Sequence, residues 1–287
     1  MKAKLTLSAI FKLANEKINS DTFRDKFRIG NAFSRSRSLS FSTLMYFVLQ
    51  TSHKSISINY SQLMDNLSTI NLPVVSKQAI SKARQGISPE AFVELFRLSV
   101  DQFYLHSRKS KLPVWNGFHV YAVDGSTIQI PESKENIEVW GMNPNKTQKQ
   151  SPLASISVLY DILNDLLVDV SLHPYRNKER KSAKEHIDFL PNFPNTVVLF
   201  DRGYPSEELF RFLDTKKIFF LMRIPQTYKK AVLEEEDGLF TYPASSMEKS
   251  LTLRSLHFLL EDGSTEYLVT NIMEDKMDYS AFKELYR

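Results

Sequence analysis

The chain contains no cysteine. Disulfides and cysteine-ligated zinc are therefore excluded, and the composition fits a reducing compartment such as the cytoplasm. It also lacks any apolar run approaching the ~20 residues that a membrane-spanning helix needs, so no membrane partner is expected. Residues 1–5 open like a secretion signal, but Lys12 and Glu16 interrupt the stretch behind them. An amphipathic helix is the better reading there. Neither sign of charge dominates: 37 Lys and Arg stand against 33 Asp and Glu, for a net charge of +4 and a pI near 9.0. That mild excess supports a polyanionic partner only weakly, and the clustering of the basic residues matters more. His173 and His186 have no metal-ligand spacing with any partner and read as structural or surface residues.

What is present suits one large or two smaller globular domains: 287 residues, 42% hydrophobic and 24% charged. Residues 1–112 read as helical. Ser88-Pro89-Glu90 is a helix start, with a cap, a proline in the first turn and an acid near the positive dipole end. The stripe Phe92, Leu95, Phe96, Val100 and Phe103 behind it has helical spacing and reads as core. Upstream, residues 58–64 form a short expected helix, Pro73 marks a turn, and Ser76 caps a second helix over 76–84. Ala79, Ile80 and Ala83 are expected to face inward, leaving Lys77, Gln78, Ser81, Lys82 and Arg84 outward. A short helix, a turn and a basic-polar helix outline a helix-turn-helix DNA reader, although any surface helix can be basic. The basic run 24–37, with Lys26, Arg28 and Arg35 between aromatics, is either a solvated face or a phosphate-holding one. The polar connector at 108–113 marks the expected domain boundary.

From Phe118 the rhythm changes to strands. Residues 119–123 form the first; 154–160 and 166–172 form a hairpin across Asn164-Asp165. A charged helix over 178–190 stops at Pro191. A strand over 197–200, a helix over 206–213 and a strand over 218–224 follow. Residues 226–272 read as a β-rich insertion, with strands at 251–254 and 267–271 around a turn at 261–264. Asp278 or Ser280 then caps a final helix carrying Phe282 and Leu285. This order predicts a mixed α/β sheet behind a helical N-terminal domain.

Two acids stand out. Tyr-Ala-Val-Asp-Gly-Ser at 121–126 and Val-Val-Leu-Phe-Asp-Arg-Gly-Tyr at 197–204 each end an apolar strand in an aspartate. Such strands deliver carboxylates to a sheet edge, where Asp124 and Asp201 could share a magnesium ion, a hard cation that takes oxygen ligands. The bland alternatives are a turn-forming Asp-Gly for Asp124 and a helix cap or a salt bridge to Arg202 for Asp201.

Val-Asp-Gly-Ser at 123–126, Asp-Arg-Gly-Tyr at 201–204 and Glu-Leu-Tyr-Arg at 284–287 resemble the three signature regions of DDE transposases of bacterial insertion sequences, the insertion-sequence-four group. Ser-Lys-Gln-Ala at 76–79 with Arg84, and Asn-Lys-Glu-Arg at 177–180, extend the resemblance over most of the sequence. Each motif alone is weak; their order and the 77-residue separation of the aspartates (201 minus 124) make the set specific.

The resemblance implies a ribonuclease H-like catalytic domain over 113–287, its β-rich insertion at 226–272, and a helical DNA-binding domain over 1–112. It implies that Asp124 and Asp201 are catalytic and hold Mg²⁺ or Mn²⁺, with two ions ~3.5–4 Å apart serving the attacking and leaving oxygens. Implied partners are double-stranded DNA, as element ends and as target, and a second copy in a homodimer on paired ends, in the bacterial cytoplasm at the nucleoid. DNA contacts are expected from Lys77, Gln78, Ser81, Lys82, Arg84, Arg202 and Tyr286. Lys181 and Lys184 read rather as a solvated helix face, and Trp115 and Trp140 as core. The third family acid has no match: Asp275, Asp278 and Glu284 are out of position, and the matching glutamate would fall beyond Arg287. The final catalytic helix is thus expected to be incomplete, with the sequence truncated at its C-terminal end. Two functions follow: a transposase that cuts and joins element ends, or a DNA-binding remnant of one that lacks the third acid.

Overall fold

The computed structural model describes residues 2–35, 39–50, 54–67, 72–107, 112–142, 151–175, 179–228, 236–245 and 248–285. The protein divides into two compact units, Met1–Lys111 and Leu112–Arg287.

The first unit contains helices α1 (Lys2–Ile18), α2 (Asp21–Phe27), α3 (Phe41–Leu49), α4 (Ile56–Asn66), α5 (Lys77–Arg84) and α6 (Glu90–Ser107). Serine starts four of them: the hydroxyls of Ser20, Ser40, Ser55 and Ser76 each accept a backbone N–H three residues on. That satisfies a donor that the first helical turn leaves without a partner. Phe23, Phe27, Phe41, Leu44, Met45, Ile80 and Leu95 share one core. On α6, Leu95 and Val100 are buried as expected, while Phe92, Phe96 and Phe103 are half-buried and Tyr104 takes a buried place.

One expectation for this unit needs correction. On α5, Ile80 is buried and Ala83 half-buried, but Ala79 is exposed. The helix has barely two turns and rests on the core through Ile80, so Ala79 borders an open groove beside Phe33, Leu39 and Val75.

The second unit is built on one sheet. Its strands are β1 (His119–Gln129), β2 (Leu153–Asp161), β3 (Leu166–Pro174), β4 (Thr196–Phe200), β5 (Phe219–Arg223), β6 (Asp237–Tyr242), β7 (Leu251–Leu259) and β8 (Thr265–Thr270). Helices α7 (Lys134–Trp140), α8 (Glu179–Ile187), α9 (Glu207–Thr215) and α10 (Tyr279–Leu285) accompany them. The order is β3-β2-β1-β4-β5-β8-β7-β6. β1, β4 and β5 run parallel, and β2 and β3 form an antiparallel hairpin beside β1. This is the ribonuclease H-like mixed sheet that the sequence led us to expect.

The β-rich stretch is not a separate layer. β8 pairs antiparallel with β5, so β8, β7 and β6 extend the same sheet. The apolar run 219–222 on β5 offers a second hydrogen-bonding edge, and leaving it uncovered would strand its backbone groups. α7, capped by Ser133, has no counterpart in the sequence reading.

The two faces of the sheet are covered differently. Val120, Val197, Leu221, Leu256 and Leu268 form a buried cluster with Met277 and Phe282, so α10 lies on that face. Asp278 caps α10 by accepting the Ala281 N–H. The opposite face meets α9, where the Phe210 ring stacks on Phe220 with centroids 5.2 Å apart, and α8, where His186 bonds to β2 and β3.

Candidate functional site

Parallel pairing of β1 with β4 ends at Val123 opposite Phe200. Pairing of β4 with β5 ends at Phe200 opposite Met222. The next residue on each strand is Asp124, Asp201 and Arg223. These three stand in one row across three adjacent strands, with neighbouring strands ~4.8 Å apart. Directly opposed residues share a face, and by alternation this is the face of Val120, Val197 and Leu221. Both carboxylates and α10 therefore lie on one side of the sheet.

β1 does not stop at Asp124, as the sequence suggested. It continues, paired with β2, to Gln129. What ends at Asp124 is burial: residues 120–123 are buried or nearly so, while Asp124 and most residues after it are exposed. The backbone ladder tolerates polar side chains once the strand leaves the covered region. Asp124 Oδ1 accepts the N–H of Gly125 at 2.7 Å.

Asp201 follows β4 directly, and its side chain is 60% exposed. Its cationic neighbour is Arg223, with Nη1 3.7 Å from Oδ1, rather than Arg202. Arg202 instead reaches Glu266 Oε1 at 3.5 Å, and its side chain remains half exposed. Glu266, on β8, is buried. It accepts Arg223 Nε at 2.8 Å on Oε1 and Arg223 Nη2 on Oε2. Neither Arg223 nor Glu266 was singled out from the sequence. Each sits on a strand with no motif, and their charge matters only once β8 is seen to pair with β5.

On the other face the site is backed by Tyr204, Glu179 and His186. Tyr204, the last residue of Asp-Arg-Gly-Tyr, is buried with its ring 5.4 Å from Phe200. Burial, and then the negative charges of Glu179, Asp124 and Asp201, push its phenol well above the ordinary range, so it stays protonated. Glu179 starts α8, near Gly125 and Gly203. A polar recess of about 250 Å³ opens here, lined by Gly125, Thr127, Ser157, Glu179 and Ser182 among others. His186, read from the sequence as a structural or surface residue, is fully buried between Asp169 and Ser157.

The other candidates are scattered. Lys77, Gln78, Lys82 and Arg84 are exposed on α5 and Ser81 half-buried, all in the helical unit. The basic run beside them is largely neutralised. Lys26 pairs with Glu94 at 2.5 Å, Arg24 with Asp21 at 2.7 Å and Arg28 with Asp25 at 3.1 Å. Arg35 is exposed, and Arg37 lies outside the described residues, as does Tyr286. Lys184 pairs with Glu208 at 2.5 Å, and Lys181 lies 3.8 Å from Glu185. Trp115 and Trp140 are half-buried, Trp115 packing on Phe282. Among the described residues no three His, Asp or Glu side chains converge as a metal site, and no helix is long and apolar enough to cross a membrane.

Two exposed carboxylates side by side on a rigid sheet, with the cation Arg223 beyond hydrogen-bond distance of Asp201, are suited to a divalent metal. Residues 115–287 match the family described as transposase DDE domain. No curated protein matches the sequence. Among solved structures it is similar to piggyBac transposase in a synaptic complex with hairpin DNA, at 12% identity and a TM-score of 0.48. That match covers 95% of this chain and 64% of the other, so this chain spans less than two thirds of its length. It is also similar to Ciona intestinalis endonuclease V in complex with a 24mer DNA containing an inosine followed by a ribo-adenosine. Identity there is 11%, the TM-score 0.27, and the match covers 58% of this chain and 75% of that one.

Proposed function

Because this chain belongs to the transposase DDE domain family, we propose that it is a DNA transposase whose Asp124 and Asp201 hold the divalent metal for cutting and joining insertion-sequence ends. The observation that carries this reading is the shared row of Asp124 and Asp201 on neighbouring parallel strands. That arrangement supports reading two acids far apart in sequence as ligands of one ion.

Asp124 and Asp201 would hold Mg²⁺ or Mn²⁺, which, when bound, lowers the charge on the phosphate and activates the attacking oxygen. The remaining work falls to the protein's own groups. Arg223, tethered by buried Glu266, offers a fixed cationic edge beside Asp201 for a backbone phosphate. Arg202, half exposed, presents a second one. In the helical unit Lys77, Gln78, Ser81, Lys82 and Arg84 line one short helix and would track the backbone of element-end DNA. A homodimer on paired ends is part of this proposal, as are the remaining contacts expected from Tyr286.

The test is nicking of supercoiled DNA carrying element ends, with Mg²⁺ or Mn²⁺. The proposal expects metal-dependent nicking that Asp124→Asn and Asp201→Asn remove. A second reading, a DNA-binding remnant without strand cleavage, is favoured by one observation: no third acid joins the pair among the described residues. It expects retardation of element-end DNA without nicking. Nicking that Asp124→Asn abolishes would refute it.

A further inference from the structure

Two segments of the helical unit border an open groove of about 720 Å³. One is the loop after α2, which contributes Phe33 and Arg35; the other is α5, which contributes Ala79 and Lys82. Leu39 and Val75 add to the apolar lining. The volume falls within the ~300–1,000 Å³ of ligand sites.

The loop wall is fixed against α5 by short-range bonds. Ile29 donates its N–H to the Gly86 carbonyl at 2.8 Å, and Ala32 donates to the Ile29 carbonyl at 3.1 Å. Ser34 Oγ donates to the Asn31 carbonyl at 2.8 Å. Gly86 permits the close approach, since a Cβ there would stand 2.6 Å from Ala32 Cβ and 3.1 Å from the Phe33 ring. Phe33 itself has φ 58°, a left-handed backbone that a bulky residue rarely adopts. Such a conformation persists only where the surroundings over-determine it. The Phe33 ring meets Phe41 in a T-shaped pair with centroids 5.5 Å apart. It remains half-buried, so part of it is left to the groove.

The charge around the groove is of one sign. Residues 29–39 and 75–86 contain no Asp or Glu, yet they carry Arg35, Arg37, Lys77, Lys82 and Arg84. Arg35 and Lys82 line the groove, one from each segment, and both are exposed. Neither forms an ion pair with a described residue, whereas Arg24, Lys26 and Arg28 nearby in sequence are all neutralised.

An apolar floor between two available cations suits an anion that also has an apolar face. A duplex lacks one, because its bases are stacked inside and its backbone presents phosphate and sugar. An unpaired strand has both, a phosphate and a base with an open π face in every nucleotide. The positive charge also continues past the groove along α5 through Lys77 and Arg84. That favours a polyanion over an isolated acidic side chain of a protein partner.

We propose that this groove seats unpaired DNA, with a base against Phe33 and the adjoining phosphates on Arg35 and Lys82. The proposal rests on the reading of the protein as a DNA-binding transposase, and it specifies the form of DNA that the helical unit takes.

The experiment is fluorescence anisotropy of the full-length protein with two labelled probes, a blunt duplex and the same duplex carrying a single-stranded thymidine overhang. The proteins are the wild type, Ala79→Leu and Phe33→Leu, with thermal unfolding as the fold control. Ala79→Leu fills the groove from an exposed helix position, so it stays informative if Phe33→Leu fails to fold. The wild type should bind the overhang probe about tenfold more tightly than the blunt one, as stacking of a base on one aromatic ring allows. Each folded variant should lose most of that preference and bind the blunt duplex like the wild type. Equal affinity of the wild type for both probes would overturn the proposal, as would a preference undiminished in the folded variants. So would a change in self-association of Ala79→Leu with its overhang preference intact, read by sedimentation without DNA, because it would make the groove a protein contact. A wild type that binds neither probe overturns the DNA-binding reading itself, a result distinct from loss of the preference alone.

Discussion

Arg223 Nη1 stands 3.7 Å from Asp201 Oδ1 while Nε and Nη2 of the same guanidinium are held by the buried carboxylate of Glu266. Asp201 and Arg223 occupy the same level on adjacent parallel strands, one residue past the paired Phe200 and Met222. The cation is therefore fixed from behind by β8 and cannot swing fully onto Asp201.

The aspartate pair should be separable from folding. Asp124→Asn and Asp201→Asn remove charge from exposed positions at the end of the covered sheet, so unfolding free energies should change by less than about 0.5 kcal/mol. Mn²⁺ affinity should fall by more than about tenfold in each, since outer partners alone reach that size. Isothermal titration beside urea unfolding checks both halves of this expectation.

Glu266 should behave in the opposite way. It is 1% exposed and accepts both Arg223 and Arg202. Arg223 and Arg202 are partly exposed, so losing the Glu266 charge strands no buried cation, and a hydrogen bond to a charged group is worth about 1.5–3 kcal/mol. Glu266→Gln retains a carbonyl acceptor, so the lower end, about 1.5 kcal/mol, is expected from urea unfolding of the second unit. A loss no greater than that of an exposed substitution would show that the Arg223 tether carries no weight.

The helical unit has its own pH signature. Glu94 accepts Lys17 at 2.6 Å and Lys26 at 2.5 Å, and these bonds hold its carboxyl below the ordinary 4.5. The unfolded protein therefore binds more protons than the folded one as pH drops below that value. The stabilisation is complete above the unfolded pKa and is lost as pH falls through the folded one. Glu94→Gln should be less stable than the wild type at about pH 6, and the gap should close as pH falls below the ordinary 4.5 and through the lowered folded-state pKa. Helix signal during urea unfolding at a series of pH values reads this, and a gap independent of pH would contradict it.

DNA binding by α5 should follow salt. If Lys77, Lys82 and Arg84 each neutralise one phosphate, the slope of log K against log salt becomes shallower by about 0.9 for each one replaced by alanine. All three are exposed, so stability should move by less than about 0.5 kcal/mol in each variant. Fluorescence anisotropy with a labelled element end measures the slope. Unchanged slopes in all three variants would remove α5 from the interface.

Arg254 ties α10 to the sheet. It is buried, donates Nε to Asp237 at 2.6 Å and Nη1 to the Met277 carbonyl at 2.6 Å, and lies over the Phe282 ring. Arg254→Leu should therefore raise amide exchange in residues 279–285 more than in β1 or β4, as local opening requires. Uniform acceleration across the sheet would mean that the arginine serves global stability instead.

Much of the second unit was legible because its strands are short apolar runs bounded by turn residues. Residues 119–123, 154–160, 166–172 and 197–200 all fall inside observed strands. The aspartates were visible because each follows an apolar run directly, with a glycine one or two residues on, and because the two motifs occur together in one sequence. The extension of β1 to Gln129 was not legible, since its last residues are polar and owe their strand geometry to β2. The joining of 237–270 to the main sheet was equally hidden, because hydrogen-bond edges leave no trace in side-chain pattern. Glu179 and Tyr204 were inside quoted motifs yet carried no assigned role. Their meaning comes from the close approach of α8 to the turn after β4.

Local chemistry along the sequence determined which segments are helical or extended, where serine caps place helix starts, and which two acids stand at the limits of buried runs. Those properties depend on neighbours a few residues away, through propensity, capping and hydrophobic period. Only tertiary structure decided that Asp124, Asp201 and Arg223 form one row, that Glu266 holds the arginine back, and that His186 is enclosed behind Tyr204. Strand register and helix docking are settled by contacts between residues tens of positions apart, and a linear pattern carries no term for them.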